Sequence, residues 1–241
     1  MKHINSKNLA DYAFINEDCL VKPVRGVCVC FHGYTDDTMF ESSPEIAKIL
    51  GEAGIAWVFP YYSVWGWMGR ESLEFCDQVL DAVWEKLELD ENVPLVSTGS
   101  SMGGMTSLMY CVRGKRKPIA CAADCPVTDM WDFFCNNPSA RRAILSAYIL
   151  EDGELEAYVK ANSPSNNGEQ LPRIPYFLLF GGADGWITDT HMPSIVKVME
   201  EFGHKFTLRV EDGMNHCAMG DFPEAFSSYV GFILDSFGKN R

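Results

Sequence analysis

Short apolar runs alternate along the chain with longer stretches of helical period. The runs are 26–31 (GVCVCF), 55–60 (IAWVFP), 94–98 (PLVST), 118–123 (PIACAA), 175–180 (PYFLLF) and 205–210 (KFTLRV). Continuous rather than alternating hydrophobicity at this length predicts strands buried on both faces. Between them, 44–53 opens with Pro44 after Ser43, a helix-start signal. Residues 70–88 carry Leu73, Cys76, Val79, Leu80, Val83 and Leu87 at near-helical spacing. Further helices are expected at 102–112, 190–203 and 222–237. Strands separated by helices predict an α/β fold, a mostly parallel sheet with helices on both faces. Residues 125–174 break this rhythm with apolar-periodic segments followed by the polar stretch NSPSNNGEQ. One or two helices and a loop are expected there, a small helical cap inserted into a single domain spanning 1–241.

Composition narrows the function classes. The chain has 241 residues, 20 Lys plus Arg and 33 Asp plus Glu, for a net charge of −13. That balance disfavours nucleic acid as a partner, because phosphate neutralisation needs a basic surface. It also disfavours an anionic membrane surface. The one basic cluster, RGKRK at 113–117, reads as a helix end whose cations complement the dipole. No segment approaches the ~18 apolar residues of a membrane span, and the opening MKHINSKNLADYAFINEDC has no apolar core of signal-peptide length. Nine cysteines, an odd number, then read as reduced thiols in a cytoplasm, most of them small core hydrophobes. Cys28-x-Cys30 and Cys121-x3-Cys125 lie in apolar runs and lack the paired pattern of a zinc site. No metal is expected.

Chemistry concentrates in Gly99-Ser100-Ser101-Met102-Gly103, between an expected strand and an expected helix. A Gly-x-Ser-x-Gly turn needs small residues because the chain reverses sharply there, lifting the Ser101 hydroxyl above the sheet edge. A hydroxyl of this kind needs a base, and the base an orienting acid. Asp184 follows the run PYFLLF, and His216 follows KFTLRV, each in a loop at a strand's carboxyl end. Ligand sites of open α/β sheets form outside those ends. For the acid, Asp184 competes with Asp189, expected as a cap of the next helix, and with Asp124 and Asp129 after the preceding strand. For the base, His216 is favoured over His191 and His204, which fall in or near a helix.

The order Ser101, Asp184, His216 resembles the α/β-hydrolase superfamily. The similarity extends over about 24–237, loosening in 125–174. Within it, FHGYTD, GSSMGG, SPSNN…LPRIPYFLLFGGAD and GMNH resemble small dienelactone-hydrolase and prolyl-oligopeptidase-type serine esterases. The nucleophile position holds Ser101 where dienelactone hydrolases proper use Cys, and the prolyl peptidases' propeller has no counterpart. The resemblance implies a carboxylesterase-like serine hydrolase with a Ser101–Asp184–His216 catalytic triad, a nucleophile elbow and no cofactor. It also implies an oxyanion hole from the backbone N–H groups of Tyr34 and Met102, with His32 fixing the loop. Peptidase or thioesterase chemistry on the same triad stays open, as does a non-catalytic binder of the same fold.

A small-molecule ester is the expected partner. Trp65, Trp131 and Trp186 fall in loops where aromatic rings could wall its pocket, and packing of the insertion is the alternative for each. Arg141 and Arg142 read as a solvated helix face. A homo-oligomer stays open.

Overall fold

The computed structural model describes residues 3–149, 153–187 and 189–238. Seven strands are present among them: β1 (Ala13–Ile15), β2 (Gly26–Phe31), β3 (Ile55–Pro60), β4 (Leu95–Ser100), β5 (Ala120–Asp124), β6 (Tyr176–Gly181) and β7 (Phe206–Glu211). They form one sheet in the order β1-β3-β2-β4-β5-β6-β7. All neighbours pair in parallel except β1, which runs antiparallel to β3 with Ala13 opposite Pro60 and Ile15 opposite Val58. The chain winds outward from β2 in one direction to β3 and in the other through β4 to β7. The reversal between β2 and β4 is a topological switch point, where a crevice opens at the strands' carboxyl ends.

Helices cover both faces. On one, α1 (Glu45–Glu52) and α8 (Pro223–Gly238) bury Ala47, Leu50, Tyr229 and Ile233 against Cys28, Trp57, Phe177 and Leu179. On the other, α2 (Arg70–Lys86), α3 (Met102–Arg113) and α7 (His191–Glu201) bury Val79, Leu108 and Ile195 against Val29, Val58 and Leu178. Successive residues of β2, β3 and β6 thus serve opposite cores, which is why each run is apolar at every position. At ~25 cal/mol per Å2, each large aliphatic side chain buried this way contributes about 2 kcal/mol.

Between β5 and β6 lie α4 (Met130–Asn136), α5 (Pro138–Tyr148) and α6 (Leu155–Ala161). Three helices therefore stand where one or two were expected. Asp129 caps α4 by accepting from Trp131 N and Asp132 N at 3.0 Å each, and Pro138 starts α5 almost at once. Residues 150–152 of the α5–α6 connection lie outside the described residues. Tyr148 Oη donates to Trp67 O at 2.6 Å, and Tyr34 Oη to Ser139 O at 2.9 Å, so α5 is tied to two loops of the sheet's carboxyl end.

Strand β1 was not anticipated. Its three residues sit between polar neighbours, too short for a periodic signal. The basic run at the end of α3 is internally satisfied. Lys115 pairs with Asp81, and Arg116 pairs with Asp81 and Glu91 while its guanidinium lies 4.2 Å over the Trp84 ring. No helix among the described residues is long and apolar enough to cross a membrane.

Candidate active site

Ser101 sits between the end of β4 and the start of α3 at φ 57, ψ −121. This left-handed conformation is uncommon for a residue with a Cβ and concentrates at functional turns. The flanking glycines make it possible. A Cβ on Gly103 would stand 1.9 Å from Phe31 O, and one on Gly99 2.4 Å from Gly103 O. The backbone is held by Ser101 N donating to Asp124 O at 2.9 Å and Met105 N donating to Ser101 O at 3.0 Å.

The loops after β6 and β7 bring Asp184 and His216 to this turn. His216 Nε2 lies 2.8 Å from Ser101 Oγ, and His216 Nδ1 lies 2.7 Å from Asp184 Oδ2. Asp184 Oδ1 accepts from Trp186 N at 2.8 Å and Ile187 N at 3.0 Å, which fixes the carboxylate plane. Burial opposes ionisation of Asp184, but the His216 and backbone hydrogen bonds outweigh it and hold the carboxyl below its ordinary range. Burial likewise opposes the charged imidazole, yet the hydrogen bond and charge of Asp184 prevail, with the Cys125 thiol adding to them. The His216 pKa is raised to about 9. The His216 side chain stays 18% exposed, so solvent reaches it, while Asp184 is 6% exposed. The Trp186 ring stacks on His216, centroids 6.3 Å apart, with its outer face open.

The loop after β2 lies beside the serine. A Cβ on Gly33 would come 3.8 Å from Ser100 O and 3.9 Å from Ser101 Cβ. His32 holds this loop. Its ring nitrogens sit 2.9 Å from Gly33 O and 3.0 Å from Tyr62 O, and its ring stacks on Tyr62 at 3.8 Å. Burial lowers its pKa. Met102 opens α3, where first-turn N–H groups have no intrahelical partner.

The competing residues have other positions. Asp124 is buried beneath the turn, with Oδ2 accepting from Ser100 Oγ at 2.9 Å and Oδ1 without a partner. Burial raises it to about 6. Asp129 caps α4. Asp189 is not the cap of α7: Thr190 holds that position, and its side chain makes no capping bond. His191 is buried, its Nδ1 accepting from Thr128 N and Asp129 N, and His204 Nε2 lies 2.7 Å from Gly168 O. Among the three tryptophans, Trp186 is brought to His216. Trp131 stacks on Phe134 within α4, and Trp65 lies under the Arg142 guanidinium at 5.7 Å. Arg141 and Arg142 are both exposed on α5, as expected, and Arg141 also donates to Phe134 O and Cys135 O at the end of α4. Cys217, next to His216 in the chain, reads from sequence as packing, and it is Cys125 whose place at the same imidazole the sequence does not reveal. The two cysteines are 92 positions apart, and no spacing rule joins them. A cavity of about 350 Å3 borders Asp184, lined also by Phe180, Ile187, Met192 and Val210 but not by Ser101 or His216.

The arrangement can move a proton from the serine hydroxyl to the imidazole while the carboxylate holds the tautomer and balances the charge. No protein-family profile and no curated protein sequence matches the chain. Solved structures do. Esterase B from Lactobacillus Rhamnosis superposes with a TM-score of 0.70 at 15% identity, covering 91% of this chain and 78% of that one. A puromycin-hydrolyzing peptidase from Mycobacterium tuberculosis gives 0.73 at 16% identity, covering 94% and 36%. An acylaminoacyl peptidase from Pyrococcus horikoshii gives 0.71 at 12%, covering 89% and 37%. The chain spans little more than a third of those two peptidases. Its sheet order and crossovers, its serine turn at the switch point and these superpositions establish that the chain has the α/β-hydrolase fold.

Proposed function

We propose that the chain is a serine hydrolase that cleaves carboxylic esters of small molecules through an acyl-enzyme. The observation that carries this reading is the continuous hydrogen-bonded path Ser101 Oγ–His216–Asp184, at 2.8 and 2.7 Å, reaching solvent at the serine end. Ser101 Oγ attacks the ester carbonyl as His216 Nε2 takes its proton. Asp184 stabilises the resulting imidazolium through Nδ1. The oxyanion of the tetrahedral intermediate is received by the N–H groups of Met102 and Tyr34, and losing one such donor costs ~3–4 kcal/mol in the barrier. His216 returns the proton to the departing alcohol. Water then repeats the sequence against the acyl-enzyme, again with His216 as base. None of these steps calls for a metal or organic cofactor. Trp186, stacked beside the base with an open face, is the residue best placed to touch a substrate. All nine cysteines are unpaired, which fits action in a reducing cytoplasm.

The peptidase neighbours favour a second reading, amide cleavage on the same three residues. The test is hydrolysis of p-nitrophenyl acetate, butyrate and octanoate, with a dipeptide p-nitroanilide alongside, by wild type and Ser101→Ala. Ester cleavage that vanishes in Ser101→Ala supports the proposal, and the chain-length profile sizes the acyl pocket. Cleavage of the anilide alone transfers the reading to a peptidase. Folded wild type that turns over nothing and takes no fluorophosphonate label at Ser101 overturns both.

A further inference from the structure

Two thiols converge on the catalytic imidazole from separate parts of the fold. Cys125 directly follows β5, and Cys217 directly follows His216 in the loop after β7. The Cys125 Sγ, the Cys217 Sγ and a ring nitrogen of His216 all lie within 4.8 Å of one another. Cys125 is fully buried, Cys217 half-buried, and neither forms a disulfide. Both residues adopt positive φ, 42° and 54°, where glycine would be less strained. The hydrolytic steps use neither thiol.

Two thiols and an imidazole are the donor set favoured by borderline-soft divalent cations, zinc foremost. Tetrahedral zinc with ordinary Zn–S and Zn–N bonds places such donors ~3.5–3.8 Å apart, so the three need to close by at most about an ångström. Oxygen-seeking magnesium or calcium has no use for this set. The two ring nitrogens of His216 are already committed, Nδ1 to Asp184 and Nε2 to Ser101. A cation on either nitrogen therefore displaces a hydrogen bond of the catalytic path. The Cys217 thiol and burial together push the Cys125 thiol well above its ordinary range, so its sulfur keeps its proton until a cation replaces it.

We infer that Cys125, His216 and Cys217 form an inhibitory site for zinc, which silences the hydrolase by capturing the imidazole that serves as its base. The inhibition rests on the proposed hydrolase reading, whereas the binding does not. Binding expels the thiol protons to solvent and involves no change of oxidation state.

The experiment uses the full chain, stripped with a chelator and kept in a phosphine reductant so that thiol oxidation is excluded. Titration with CoCl2 should develop thiolate-to-cobalt charge-transfer absorption in the near ultraviolet, and ZnCl2 should abolish it. Ser101→Ala should show the same absorption, since it keeps all three donors. Saturating ZnCl2 should lower p-nitrophenyl butyrate hydrolysis by about 10²-fold, the scale of general-base catalysis, and chelator should restore it. Cys217→Ala and Cys125→Ala should lose the cobalt absorption and remain active in zinc, and either variant suffices if the other fails to fold. Cobalt absorption without any ester turnover leaves the metal site standing and removes the esterase reading. Normal turnover with no cobalt absorption, or zinc inhibition that persists in Cys217→Ala, overturns the site.

Discussion

Ser101 combines a left-handed backbone with a hydrogen bond to an imidazole at 2.8 Å, and the two features serve one end. The turn projects Oγ out of the sheet, and the bond orients it. Removing the hydroxyl in Ser101→Ala should lower kcat/KM for p-nitrophenyl butyrate by about 10⁴-fold or more. Asp184→Asn should cost about 10⁴-fold, because an amide fails to hold the productive tautomer. Asp124→Asn should stay within about tenfold, since Asp124 bonds Ser100 rather than His216. Steady-state kinetics on the three variants decide which carboxylate is the acid. The pH dependence follows from His216. Its pKa stands at about 9 in the fold against 6.5 unperturbed, so the folded state holds the proton more tightly. The ion pair's contribution to stability is therefore complete below about pH 6.5 and lost as pH rises through about 9. Only neutral imidazole accepts the Ser101 proton, so kcat/KM should rise over that same window. Urea melts and pH–rate profiles should run in opposite directions between pH 7 and 9. Asp124 has the opposite charge type with a pKa also raised, from 3.8 to about 6. Its ionisation opposes folding, so Asp124→Asn should gain up to about 3 kcal/mol above pH 6 and nothing below pH 4.

The junction of β4 and α3 depends on close backbone approach. Gly103→Ala places a Cβ against Phe31 O, a backbone atom with nowhere to move. A loss of about 4 kcal/mol or more is expected, read as collapse of soluble yield or a large fall in the urea midpoint. The contact between α5 and the loop after β2 is gentler. Tyr34→Phe removes one hydrogen bond, to Ser139 O, worth about 1 kcal/mol, and should lower Tm by about 2–4 °C. Because the proposed oxyanion donor is the Tyr34 backbone, kcat should remain within about threefold of wild type. Six of the seven strands and the five principal helices were legible as apolar runs and helical periods. Each is long enough, and buried on enough sides, for pattern to reveal it. Strand β1 was not, since three residues carry no period and its place comes from pairing with β3. The third helix of the β5–β6 segment was hidden for a similar reason. Asp129 and Pro138 start two helices within nine residues, and the helix between them is only seven residues long.

A net charge of −13 acts on the molecule as a body. Its field should repel an anionic ester and leave a neutral one unaffected. The KM of a p-nitrophenyl ester bearing a free carboxylate should therefore fall as salt rises from 10 to 300 mM, where the screening length drops below about 10 Å. The KM of the butyrate should not move. Equal behaviour of the two esters would show that local charges at the mouth outweigh the global field. The two sheet edges also differ. Antiparallel β1 closes one, while β7 leaves Leu208 and Val210 exposed at the other, although KFTLRV reads like the buried runs. An edge strand lacks the second neighbour and the second helix layer that bury the central strands.

Sequence alone was enough for the α/β alternation, the serine turn, and the loops that hold Asp184 and His216. Those features are local: a glycine pair, a run, a residue just past a strand's end. The tertiary structure settled everything that depends on which distant segments meet. It set Asp124 against Ser100 and Trp186 on His216, packed Trp65 and Trp131 among the helices between β5 and β6, and gathered Cys125 and Cys217 at one imidazole. Spacing along the chain carries no trace of such meetings, because the crossovers between strands set which loops share an edge of the sheet.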